Sequence, residues 1–80
     1  MNVASIKLLV ENYSVEDLQK AENDLLEEQP LAITVEGKDE GEQLTHILAA
    51  IFCKQTMDAE SIPLNQALRL YSQRVRGSIN

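Results

Sequence analysis

Four side chains able to do chemistry fall at helical spacing in the middle of the chain: Asp39, Glu42, His46 and Cys53, separated by three, four and seven residues. On an α-helix these intervals bring all four near one line along the axis. Carboxylate, imidazole and thiol are zinc donors, and a thiol beside an imidazole is the pair found in cysteine nucleophiles. The axial rise removes most of this chemistry. At 1.5 Å per residue, His46 and Cys53 stand ~10 Å apart, too far to share a metal ion or a proton. Glu42 and His46, one turn apart, remain as a two-ligand clip. A structural zinc site takes four ligands, so another segment, or the same residues across a two-fold axis, would have to complete it. The structural alternative makes His46 a partly buried imidazole hydrogen-bonded to Glu42 or to backbone. Cys53, set in an apolar run, reads as a small buried hydrophobe.

The remaining motifs exclude more than they suggest. Asp39-Glu40-Gly41-Glu42 lacks the alternating acids and the closing glutamate of a calcium loop. There is no phosphate loop, no G-x-S-x-G turn and no pair of cysteines. The expectation is a protein that is not an enzyme and carries no cofactor.

The stretch Gly41 to Met57 positions these residues. Leu44, Ile47, Leu48, Ile51 and Phe52 recur at three- and four-residue intervals and form one apolar face. Ala49, Ala50 and Cys53 make most of the remaining surface small or apolar, so this helix is contacted from more than one side and is central. Before it, Val3, Ile6, Leu9, Val10 and Tyr13 stripe a first helix over residues 3–12. Ser14-Val15-Glu16-Asp17 opens a second over 15–28 as a capping-box variant, with Val15, Leu18, Ala21, Leu25 and Leu26 inward and Pro30 ending it. The central helix covers 40–59, with Asp39 as its cap. A last helix covers 63–76, with Pro63 at its first position, a Leu64, Ala67, Leu68, Tyr71 and Val75 stripe, and Gly77 as its stop. Gly41, just inside the central helix, would suit a close helix contact.

Between the second and central helices, Leu31-Ala32-Ile33-Thr34-Val35 is bounded by Pro30 and Gly37 and alternates loosely. It has no partner strand elsewhere in the chain. It is therefore an extended 31–36 connector lying on the helices, or a strand pairing with its copy in a second molecule, the connector being favoured because isolated two-stranded pairs are marginal.

Eighty residues make one domain, and 44% hydrophobic residues are enough to fold it. Its core is thin, with only Phe52, Tyr13 and Tyr71 as aromatics. A single cysteine rules out an internal disulfide, which leaves self-association as the natural supplement. The N-terminal stretch lacks a secretory pattern, and no apolar run is long enough to span a membrane, so a reduced, cytoplasmic protein is expected. The net charge of −6 argues against nucleic acid as a partner. Charge is nevertheless segregated: residues 1–60 carry all thirteen acids and a net −9, whereas residues 61–80 carry Arg69, Arg74, Arg76 and no acid.

Three segments also carry a family likeness. They are Tyr13-Ser14-Val15-Glu16-Asp17-Leu18, Glu40-Gly41-Glu42-Gln43-Leu44-Thr45-His46 and Arg74-Val75-Arg76-Gly77-Ser78-Ile79. Over nearly its whole length the chain resembles a family of short bacterial proteins of unknown function. That resemblance implies a small helical protein and transfers no catalytic or binding residue.

The sequence thus predicts an all-α bundle of four helices that works as a non-enzymatic protein-interaction module and forms a homodimer. Ala49, Ala50 and Cys53 would provide a flat strip for close helix approach, and Arg69, Arg74 and Arg76 would meet the acidic second helix of another copy. The alternative is a metal- or small-molecule-binding regulatory subunit using Glu42 and His46.

Overall fold

The computed structural model describes the backbone of residues 2–79 and the side chains of residues 2–76. Four helices follow one another: α1 (Val3–Asn12), α2 (Val15–Leu26), α3 (Glu40–Glu60) and α4 (Leu64–Ile79). No strand occurs among the described residues, so the fold is an all-α bundle.

Local chemistry sets most helix starts. Asn2 Oδ1 accepts from the Ala4 and Ser5 amides at 2.9 and 3.3 Å, which caps α1. Ser14 Oγ accepts from the Asp17 amide at 3.1 Å while Asp17 Oδ2 accepts from the Ser14 amide at 3.2 Å, a closed capping box at α2. Asp39 Oδ1 accepts from the Glu42 amide at 2.8 Å and opens α3. At α4 the expectation shifts by one residue: Pro63 stands just before the helix, where its carbonyl accepts from the Gln66 and Ala67 amides.

The ends depart further from the sequence reading. α2 stops at Leu26, ahead of the expected 28, because Glu28 takes a left-handed backbone with φ 57°. The Gln29 amide then donates to Asp24 O at 2.7 Å and the Glu28 amide to Leu25 O at 3.2 Å, the paired bonds of a Schellman ending. Pro30 lies beyond the stop and does not cause it. Ser61, also left-handed at φ 54°, ends α3. α4 runs through Gly77 to Ile79 instead of stopping at 76, since a single helical glycine costs only about 1 kcal/mol. The side chains of Ser78 and Ile79, part of the closing motif, lie outside the described residues.

α3 is the hub: α1, α2 and α4 each pack on it, and the substantial helix–helix interfaces all involve it. Its Ile47, Ala49, Ala50 and Cys53 have no exposed surface. Around them sit Ile6, Leu9 and Val10 of α1, Leu18 and Ala21 of α2, and Ala67 of α4, all buried. Four residues assigned to inward stripes fall outside this core. Val3 is 55%, Leu26 62%, Leu48 40% and Val75 38% exposed. Gly41 is exposed, and a side-chain carbon there would meet only the Asp39 carboxylate, so it serves no close helix contact.

Residues 31–36 form a connector draped over the bundle. Val35 is buried, with Leu31 and Ile33 half-buried against the core. Gln43 Nε2 donates to Val35 O at 2.9 Å, and the Thr34 amide donates to the Tyr13 hydroxyl at 3.4 Å. At the other end of the molecule Lys54 Nζ donates to Val10 O at 3.1 Å, which sets a cation on a carbonyl in the last turn of α1.

Candidate functional site

His46 is held by α3 at the point where the chain start and the connector meet, and it is 1% exposed. Its Nε2 accepts from the Asn2 amide at 3.0 Å, and its Nδ1 lies 2.8 Å from Glu36 O. With Nε2 accepting, the proton sits on Nδ1 and is donated to that carbonyl, so one neutral imidazole joins three segments. Both ring nitrogens are thereby engaged by backbone. Neither offers a lone pair to a metal ion while these bonds stand.

Glu42 does not complete a ligand set. Its Oε1 accepts from the Lys38 amide at 2.9 Å, fastening the turn before α3. Among the described residues no group of three or more His, Cys, Asp or Glu side chains is placed to hold a metal. Cys53 is buried in the core two turns further along α3, and desolvation pushes its thiol up from 9.0 to about 11. A thiol this reluctant to ionise is a poor nucleophile. The Asp39, Glu42, His46 and Cys53 line therefore divides by task into a helix cap, a turn clasp, a backbone bridge and core packing.

The small-residue strip expected to meet a second copy is covered from within the chain. Ala49, Ala50 and Cys53 have no exposed surface, because close helix packing around the hub takes up the room their small side chains leave. As an interface surface that strip is corrected. The arginines behave differently, since Arg69, Arg74 and Arg76 are all exposed on α4. Arg74 sets its guanidinium 5.4 Å from the centre of the Phe52 ring. Phe52 in turn tilts against Tyr71 with ring centroids 5.4 Å apart. Burial raises the Tyr71 phenol; nearby Cys53 adds to this and Arg74 opposes it. Among the described residues none of the three arginines forms an ion pair with a carboxylate.

A second surface had no place in the sequence reading. The α1–α2 corner and the α3–α4 turn lie side by side and enclose an open cleft of about 640 Å³. Val10, Val15, Met57 and Ile62 form its apolar lining, with Glu11 and Asp58 at its edge. Each of the four apolar residues sits near an end of its helix or in the turn. Periodicity marks them as apolar but cannot show that two distant turns meet.

The sequence profile of a Family of unknown function (DUF6952) matches residues 1–80. The chain belongs to that family. No curated protein and no solved structure matches it significantly. Membership of DUF6952 assigns no functional residue, so the site stands on its own geometry. In this DUF6952 member two surfaces stand out among the described residues: the arginine face of α4 and the apolar cleft.

Proposed function

We propose that this protein is a non-enzymatic, cytoplasmic interaction module that works by self-association. One observation carries the reading. Arg69, Arg74 and Arg76 stand exposed on α4, in a chain of net charge −6, with no carboxylate paired to them among the described residues. A basic face on an acidic molecule has its complement on the surface of another copy. The thin core supports the same reading, since burial against a copy adds the apolar contact that so short a chain lacks. Exposed ion pairs alone contribute little, so charge orients the contact and apolar burial stabilises it. The metal-binding alternative is disfavoured by His46, whose two nitrogens are engaged by backbone.

Sedimentation equilibrium tests the proposal. A mass rising from monomer to dimer is expected across ~10–100 μM, with dissociation favoured by added salt. A monomer mass throughout that range refutes it.

A further inference from the structure

We infer that two copies associate through a two-fold contact in which the tip of α4 of each, carrying Val75 and Arg76, seats on the apolar cleft of the other. The inference rests on the self-association reading and names the surfaces that meet.

The cleft and the tip are complementary in both polarity and charge. Val10, Val15, Met57 and Ile62 give the cleft an apolar lining, and exposed Glu11 and Asp58 border it. Among the described residues neither carboxylate is matched by a cation in an ion pair. Lys54, the one basic residue lining the cleft, is already directed to the Val10 carbonyl at 3.1 Å. The cleft therefore presents apolar surface with a net negative edge, two carboxylates against the one Lys54 ammonium.

The tip has the opposite charge. Val75 continues the α4 stripe and is 38% exposed, with Arg74 and Arg76 on either side in sequence. The contact of Phe52 with Tyr71 fixes the antiparallel register of α3 and α4. One turn further along each helix, that register carries 40%-exposed Leu48 to a position beside Val75. The result is an apolar pair attended by guanidinium groups.

A chain cannot fill its own cleft with its own tip. Ile62 of the cleft precedes the start of α4, and Val75 lies eleven residues along that helix, ~16 Å away by its rise. A second copy can, and a two-fold axis forms the same contact twice, closing the assembly at a dimer. Each contact is small, which suits a weak and reversible association.

Charge reversal with sedimentation equilibrium tests the assignment. Arg76→Glu and Asp58→Arg alter exposed side chains, and circular dichroism of each variant should match the unaltered protein. Each variant alone should weaken dimerisation roughly tenfold, since two contacts turn from attractive to repulsive. In a mixed dimer of the two variants, one contact regains an opposite-charge pair with its signs exchanged, and the other keeps the native pair of Arg76 and Asp58. The mixture should therefore recover an association constant within about twofold of wild type. If Arg76→Glu weakens the dimer but Asp58→Arg does not, or the mixture fails to recover, self-association stands and the cleft assignment falls. If the unaltered protein assembles past the dimer, two-fold closure falls. A wild-type protein that stays monomeric removes the self-association reading and this inference together.

Discussion

At the scale of single residues, His46 shows how a reactive side chain becomes a structural one. Its ring meets the Asn2 amide and the Glu36 carbonyl from inside the bundle, at 3.0 and 2.8 Å. His46→Ala removes both bonds and leaves a void, so a loss of about 2–4 kcal/mol in urea unfolding is expected. His46→Gln keeps a donor and an acceptor and should lose less while folding normally. An alanine variant as stable as wild type would remove His46 as the junction. Cys53 makes a pH prediction. Its folded-state thiol is raised by desolvation from 9.0, the value of an exposed thiol, to about 11. The stability linked to this shift is fully present below the unfolded value and is lost as pH rises through about 11, because the unfolded chain releases the proton first. Unfolding free energies at neutral pH and at the alkaline end of this window should differ less for Cys53→Ala than for wild type. Tyr71, also raised, retains its own alkaline contribution in both proteins.

At the scale of elements, α3 and the ends of its neighbours matter most. Ile47 is fully buried at the middle of the hub, whereas Ile51 retains 9% exposure. Truncating either to alanine should cost ~2–5 kcal/mol, with Ile47→Ala at the upper part of that range. A melting midpoint for Ile47→Ala within a degree or two of wild type would contradict the central placing of α3. The end of α2 permits a stabilising change. Glu28 holds φ 57° at the position where glycine is the usual occupant. Glu28→Gly should therefore raise stability by about 1 kcal/mol, read as an upward shift in melting temperature. The connector has the opposite requirement. A side-chain carbon at Gly37 would come within 2.9 Å of the Gln43 backbone nitrogen, so Gly37→Ala should destabilise by roughly 1–3 kcal/mol through displacement of the connector.

At the scale of the whole molecule, shape and charge govern behaviour. The bundle measures 32 × 29 × 19 Å, a flattened body with a large surface for its volume. No helix among the described residues is long and apolar enough to cross a membrane. A dimer that forms only from folded chains adds stability by mass action, so the melting temperature should rise with protein concentration. The rise between micromolar and hundred-micromolar samples should be a few degrees and should shrink in Arg76→Glu. A concentration-independent melt would count against folded-state association.

The helix pattern was largely legible in the amino-acid sequence because it depends on neighbours in the chain. Apolar spacing located all four helices, and Ser14, Asp17 and Asp39 marked starts by side chains that reach amides three residues away. The end of α2 was hidden, since its left-handed residue is Glu28 and no glycine announces it. Charge segregation was equally plain, being a property of composition along the chain. The fate of each candidate site residue depended on segments far away in sequence. His46 bonds to Asn2, forty-four residues distant, and no local spacing could select that amide over Glu42. Ala49, Ala50 and Cys53 read as a small-residue strip, and only the positions of the other helices showed that the strip is covered from within the chain. The sequence by itself determined four amphipathic helices and a basic last segment, because propensity, capping and periodicity act over a few residues. Only the tertiary structure decided which faces were buried, which nitrogens were engaged and where two turns enclosed a cleft, because burial is a property of pairs of elements brought together across the chain.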